Sequence, residues 1–275
     1  MKSLIITADD FGAAREVNEA VERAHKDGIL TATSLMVAAP AATDAVVRAK
    51  AMPRLGVGLH IVLAEGKSVL PPSAIPDLVD ADGMFRPDMV WPAVKMFFLP
   101  QVRRQLAAEI EAQFRAFAAT GLTLDHVDTH KHFHLHPTVL KLILKIGPRY
   151  GMKALRLPYE PSQVLKRVEP GTHGAPVLGW WARSFRRKLA GHFAPDAMFG
   201  LAWSGAMSES RLAGLIAHLP EGISEIYLHP ATGPYAGSTP GYRYGEELTA
   251  LISRQVVDTA RQCRLGPFAD FALSA

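Results

Sequence analysis

Ser3-Leu4-Ile5-Ile6-Thr7-Ala8-Asp9-Asp10-Phe11-Gly12 runs from an uncharged apolar stretch into two adjacent carboxylates and a glycine, and a segment of helical period follows at 14 to 26. This is a strand, a turn and a helix, and the same order recurs along the chain. Short apolar runs predict strands at 3 to 8, 31 to 37, 55 to 62, 123 to 128, 153 to 157, 223 to 228 and 265 to 269. Amphipathic spacing predicts helices at 14 to 26, 42 to 51, 101 to 119, 137 to 147, 208 to 218 and 245 to 262. Strands alternating with helices make a parallel sheet with helical crossovers. The expectation is an α/β fold: a distorted or incomplete (β/α) barrel of about seven parallel strands, with a doubly wound open sheet as the alternative.

The helix at 101 to 119 carries Val102, Leu106, Ile110, Phe114 and Phe117 on one stripe, and Gly121 stands just past its end. Pro137 sits where a first-turn proline belongs. Two insertions break the rhythm: 64 to 100, rich in proline, and 159 to 205, which holds Trp180, Trp181 and Trp203. Insertions of this length cover or shape a site, so both are expected at the active-site face. No repeat or linker composition divides residues 1–275, which are read as a single catalytic domain.

With 275 residues, 48% of them hydrophobic, and 30 Lys+Arg against 26 Asp+Glu, the chain can build a sizeable core and disorder is excluded. Cys263 is the one cysteine, which excludes a disulfide framework and a cysteine zinc site and fits a reducing compartment. The first residues carry no secretory pattern, and no uncharged stretch reaches the ~20 apolar residues of a membrane span. A cytoplasmic location is expected. No basic segment is interleaved with stacking aromatics, so nucleic acid is not expected as a partner.

Ligands of barrels and open α/β sheets bind beyond the carboxyl ends of the strands. Asp9-Asp10 there calls for a cation or donor, since adjacent carboxylates repel; the other reading is an N-cap of the next helix. His60 follows Gly56 and Gly58, which share its strand parity and leave room around it; alone, it reads equally as a core histidine. In Asp128-Thr129-His130-Lys131-His132-Phe133-His134-Leu135-His136-Pro137, Asp128, His130, His132, His134 and His136 share period-two parity. Imidazole with carboxylate is a donor set for a divalent ion with an open position for water; the alternative is a histidine-rich surface loop. Arg156 ends another strand, where it either holds a carboxylate such as Asp9 or is an ordinary surface cation. His229, between Leu228 and Pro230, sits where a general acid would, or is capped and inert.

Ala8-Asp9-Asp10-Phe11-Gly12, Gly58-Leu59-His60, the Asp128 to Pro137 run and Leu228-His229-Pro230, in that order, resemble the YdjC-like carbohydrate deacetylases, most closely those associated with hopanoid biosynthesis. Val17-Asn18-Glu19-Ala20 and Ile75-Pro76-Asp77-Leu78-Val79-Asp80 belong to the same resemblance. It implies a distorted (β/α) barrel and one divalent metal, zinc ahead of magnesium, held by Asp10, His60 and His130. It implies Asp9 as general base and, by similarity to the wider polysaccharide deacetylases, His229 as general acid with Arg156 orienting Asp9. Those wider enzymes carry both metal histidines in one short motif, whereas His60 and His130 stand far apart. Asp128 and His132 are expected to fix ligand tautomers, and Tyr159, Trp180 and Trp181 to meet substrate.

The resemblance implies an acetylglucosamine head on a polycyclic lipid as substrate. Residues 178 to 189 mix aromatic and cationic residues as membrane-surface elements do, and the residues from Glu160 to His192 alone carry the chain's whole excess of +4. Peripheral contact with an anionic membrane at its inner face is expected there; the other reading is a lid packed on the barrel. The rival activities are a soluble chito-oligosaccharide deacetylase, a metal-dependent phosphoesterase and a non-catalytic sugar-lipid binding protein. The oligomeric state has no signature in the sequence.

Overall fold

The computed structural model describes residues 2–86, 90–174, 184–189 and 191–272. β1 (Lys2–Phe11) is buried from Leu4 onward on both faces, as a central parallel strand covered by helices must be. The elements then follow as α1 (Arg15–Asp27), β2 (Ala32–Leu35), α2 (Ala42–Lys50), β3 (Gly56–Ile61), α3 (Val90–Phe98), α4 (Pro100–Ala119) and β4 (Leu124–Thr129). The second part adds α5 (Pro137–Ile146), α6 (Ser162–Val168), β5 (Ala197–Phe199), α7 (Glu209–His218) and β6 (Gly222–Leu228). It closes with α8 (Tyr244–Ile252), α9 (Arg254–Ala260), β7 (Arg264–Leu265) and α10 (Phe268–Ala272).

The seven named strands pair in parallel, in the order β4-β3-β2-β1-β6-β5, with β7 bonded to β1. The sheet curls into a half-barrel. Its gap is spanned by an extended segment: Val127 bridges Leu155, Ala154 bridges Phe193, and Met198 donates its N–H to the Tyr159 carbonyl. The strand expected at 153 to 157 is therefore reduced to isolated bridges, while β5 arises inside the insertion where none was expected. The strand expected at 265 to 269 stops at Leu265, because Pro267 cannot donate to a ladder and α10 starts at Phe268. The helix expected at 245 to 262 is two helices, because the Ser253 hydroxyl caps α9.

The stripe of α4 is buried as its spacing requires, and Pro137 opens α5. No helix among the described residues is long and apolar enough to cross a membrane.

Candidate metal centre and active site

The turn that presents the first two carboxylates is made within the strand. The β1–β2 register shifts between Ala8 and Phe11, and Asp10 sits at φ 64°. Asp is among the few non-glycine residues that tolerate this left-handed region, and such strain gathers at functional sites. The bulge turns Asp9 and Asp10, which a regular strand would send to opposite faces, toward one cleft. The N-cap alternative fails: α1 is preceded by Ala14, with no side-chain cap. Asn18 fastens the turn instead, accepting the Gly12 N–H at 2.8 Å and donating to Ala41 O and Asp44 Oδ2.

His60 lies opposite Asp128 in the β3–β4 register, and its Nδ1–H donates to Asp128 Oδ1 at 2.8 Å. The space left by Gly56 and Gly58 belongs to other neighbours than His60. A Cβ on Gly58 would meet the His126 ring at 2.5 Å, and one on Gly56 the Asp125 carboxylate at 2.6 Å. His126 in turn contacts Ser34 Oγ (3.2 Å) and Asp125 (2.9 Å), and Ser34 donates to Asp128 Oδ2 at 2.8 Å.

The period-two reading of the histidine run ends with the strand at Thr129. Residues His130–Leu135 form a 3₁₀ segment in which Lys131 and His132 both have positive φ (56° and 53°). That kink sends alternate histidines different ways. His130 reaches Asp10, His132 Nε2 meets the Tyr227 hydroxyl at 3.2 Å, and His134 folds back onto Thr129 Oγ1 at 2.8 Å. Burial, aided for His132 by Arg156, holds the His132 ring neutral and brings His134 down to about 3.

Three donor atoms from three strand ends converge. Asp10 Oδ1 is 3.1 Å from His130 Nδ1 and 3.3 Å from His60 Nε2, and the two histidine nitrogens are 3.3 Å apart. Donors around a tetrahedral ion with bonds of ~2.0–2.1 Å stand roughly 3.3 Å from one another. The donor set fits as well: His60 spends its Nδ1–H on a carboxylate, which leaves Nε2 as a lone-pair donor facing the cluster. Burial opposes charge on this ring, yet Asp128 and Asp10 push His60 up to about 10, the mark of a site that wants a cation on that nitrogen. Burial alone would raise the Asp10 carboxyl, but His130 and His60 hold it well below its ordinary value. Asp10, His60 and His130 thus form a group that can hold a metal ion.

A second group, Asp9, His60 and Asp128, is also close enough to bind an ion. It is closed by a side chain already present. Fully buried Arg156 grips both Asp9 oxygens at 2.7 Å, and also reaches Asp128 Oδ2 (2.7 Å) and Glu225 Oε1 (2.8 Å). Its guanidinium lies over the Tyr227 ring, 4.9 Å from the centroid. The surface-cation reading of Arg156 is thereby removed. Burial opposes charge on Asp128 too, but Arg156 and His60 hold its carboxyl far below the ordinary range.

His229 completes the arrangement from the end of β6, where Ala8 pairs with Leu228. Its backbone N–H donates to Glu247 at 2.5 Å, its ring stands beside Tyr227 and Tyr242, and its buried Nδ1 has no hydrogen-bond partner among the described residues. Burial pushes its imidazole down, so the resting ring is neutral. Asp9, Asp10, His60, His130, His132 and His229 line one cup of about 270 Å³, with Ser204, Tyr227 and Tyr242 on its other walls. A second cavity of about 290 Å³ shares Asp10, His130 and Thr239 with it; Met36, Val37, Ala38, Ala39, Pro40 and Val62 give it an apolar wall, and Glu65, Lys67, Gln113 and Tyr235 also line it. Both insertions contribute, Glu65 and Met84 to the second cavity and Ser204 to the cup.

Tyr159 is half-buried and lines neither cavity. Trp180 and Trp181 lie outside the described residues. Glu225 and Tyr227 were missed, although residues 225 and 227 on β6 share the period-two face that leads to His229 just past its end.

The fold and this site define a class: a curled (β/α) half-barrel that gathers a carboxylate, two histidines and an arginine-held aspartate at its strand ends. The chain belongs to the YdjC-like protein family, whose model matches residues 3–262. It is similar to a carbohydrate deacetylase of Geobacillus stearothermophilus, 31% identical over 257 residues that cover 92% of this chain and 90% of that one. A carbohydrate deacetylase of Thermoanaerobacter pseudethanolicus is 29% identical over 84% of this chain and 82% of its own. One of Brevibacillus brevis is 38% identical over 147 residues, 54% of this chain and 56% of that protein. Among solved structures, a candidate cellobiose-phosphate cleavage protein of Enterococcus faecalis V583 superposes with a TM-score of 0.77 at 24% identity, covering 98% of both chains, a likeness of fold.

Proposed function

We propose that this protein is a metal-dependent hydrolase that removes the N-acetyl group from an N-acetylglucosamine unit carried on a hopanoid-type polycyclic lipid, at the inner face of a membrane. The observation that carries the reading is the convergence of Asp10, His60 and His130 within 3.1–3.3 Å, with Asp9 and His229 lining the same cup. The relatives named carbohydrate deacetylases support the reaction class.

A divalent ion on Asp10, His60 and His130, zinc ahead of magnesium because two donors are imidazoles, would supply Lewis acidity toward the amide carbonyl and the attacking water. The chain's own groups do the rest. Asp9 accepts the proton from water, with its carboxylate plane fixed by the two parallel N–H bonds from Arg156. His229, with Nδ1 unpaired, passes a proton to the departing amine; because its resting ring is neutral, that proton is taken up within the reaction cycle. Ser204 and Tyr242, bonded to each other at 2.9 Å, offer hydroxyls to the sugar.

The second cavity favours a lipid-linked substrate over a soluble chito-oligosaccharide. A neighbouring sugar asks for closely spaced polar partners, whereas the wall from Met36 to Pro40 offers mostly methyl and methylene groups. A phosphoesterase calls for a second metal or further cations. Here the second ligand group is closed by Arg156, and the rim cation Lys131 pairs with Glu65 at 3.0 Å.

Mass spectrometry of lipid-linked N-acetylglucosamine incubated with metal-loaded protein tests the proposal. Loss of one acetyl group is expected with the wild type and not with Asp9→Asn. A substrate left intact by the wild type rules the activity out, and undiminished binding by Asp9→Asn without turnover in either protein indicates a binding protein.

A further inference from the structure

Seven large hydrophobic side chains stand exposed among the described residues, and four of them fall together at the end of α3: Val94 (41%), Phe97 (49%), Phe98 (67%) and Leu99 (46%). Scattered exposed hydrophobics are ordinary, but a contiguous group of this size marks a contact. α3 rests on α4 and α5, and beside Phe97 lies a cleft of about 330 Å³. Its cations are Arg103, Lys141 and Lys145, its other walls are Pro137, Thr138 and Leu142, and it contains no acid. None of the three cations is in an ion pair among the described residues. α4 and α5 also start without an acid in the first turn, so their N-terminal dipole ends add to the positive potential.

We propose that the α3 tip and this cationic cleft form a docking surface for an anionic lipid bilayer, with Phe97, Phe98 and Leu99 entering the headgroup region and Arg103, Lys141 and Lys145 meeting lipid phosphates. Charge complementarity selects this occupant. An apolar tip ringed by unpaired cations matches an anionic interface, where aromatic residues and basic residues are both favoured. The patch also adjoins the active-site rim: the Phe97 ring packs edge-on to His136 at 6.1 Å, and His136 ends the segment that begins at His130. The surface differs from the one the sequence suggested at 178 to 189. In the described part of that segment Phe185 and Leu189 are buried in the core, and Arg186 bonds Pro195 O.

This docking surface deepens the lipid-linked reading of the substrate, but its test needs no turnover. Wild-type protein is co-sedimented with phosphatidylcholine vesicles with and without phosphatidylglycerol. It is expected to pellet with the anionic vesicles and to be released by salt. Phe97→Ser/Phe98→Ser is expected to lower partitioning at least tenfold. Lys141→Glu/Lys145→Glu is expected to lower it by roughly fivefold for each charge removed. Arg186→Glu/Arg187→Glu is expected to leave it unchanged. Metal loading of the Asp10, His60 and His130 group, followed by chelator competition, shows that each variant is folded. The proposal is overturned if the wild type stays in the supernatant, or if the α3 and α5 variants pellet like wild type. It is equally overturned if only the Arg186/Arg187 variant loses binding, or if light scattering shows the patch to be a dimer contact whose loss leaves vesicle binding intact.

Discussion

Asp128 lies directly across the β3–β4 pairing from His60 and accepts its Nδ1–H at 2.8 Å, which commits the other ring nitrogen to the metal group. The same carboxylate gives its second oxygen to Arg156, so one buried residue joins the metal ligands to the cation that holds the base.

Replacing Asp128 by Asn therefore acts on metal affinity without touching a ligand. Loss of such a partner lowers affinity about 10–100-fold. Chelator competition with zinc checks this, alongside His60→Ala as the direct ligand loss. An Asp128→Asn protein that binds zinc as tightly as wild type contradicts the assignment of His60 Nε2 as a donor.

Asp10→Asn separates backbone from charge. Asn accepts the left-handed conformation that Asp10 adopts at φ 64°, so the bulge is preserved while the anionic donor is lost. The metal-free variant is expected to stay folded with a lower thermal midpoint, because the contacts of the Asp10 carboxylate with His130 and His60 are lost, whereas metal content by mass spectrometry falls well below one ion per chain. Full metal content in Asp10→Asn sinks the ligand assignment.

Much of this was readable from residue pattern, and the unread parts share a physical cause. Apolar period placed β1, β3, β4 and β6 and their terminal Asp9, Asp10, His60, Asp128 and His229, because helix and sheet periodicities are local. The backbone departures at Asp10, Lys131 and His132 are imposed by tertiary contacts, so the alternation that aligns Asp128 and four histidines on one face fails after Thr129. For the same reason the residues alone leave Arg156 open between a holder of Asp9 and an ordinary surface cation, and only the resemblance sets it beside Asp9. Only the folded chain shows that it answers Asp9, Asp128 and Glu225 together.

The second cavity makes its own prediction about substrate. Ala38→Trp fills the apolar wall next to the metal group with a bulky ring. Turnover of lipid-linked N-acetylglucosamine is expected to drop at least tenfold, with deacetylation of a short soluble N-acetyl sugar within a few-fold of wild type. Equal losses on both substrates would mean that the cavity serves the sugar itself.

Arg156→Met tests the buried charge cluster through stability. Removing the guanidinium leaves the carboxylates of Asp9, Asp128 and Glu225 buried without their cation, and breaking a buried pair of this kind costs about 3–5 kcal/mol. The pH dependence follows from the direction of the shift. In the wild type the Asp128 carboxyl is held below its unfolded value, so its contribution is present above about pH 4 and is lost as pH falls toward the folded value. Without Arg156 the Asp128 carboxyl rises, and Glu225, already raised by burial in the wild type, rises further, so the variant binds protons on folding. Its deficit relative to wild type is therefore expected to be greatest near neutral pH and to shrink on acidification toward pH ~4. Urea unfolding of both proteins across that range measures it, and a deficit that does not change with pH would show that Arg156 stabilises by packing alone.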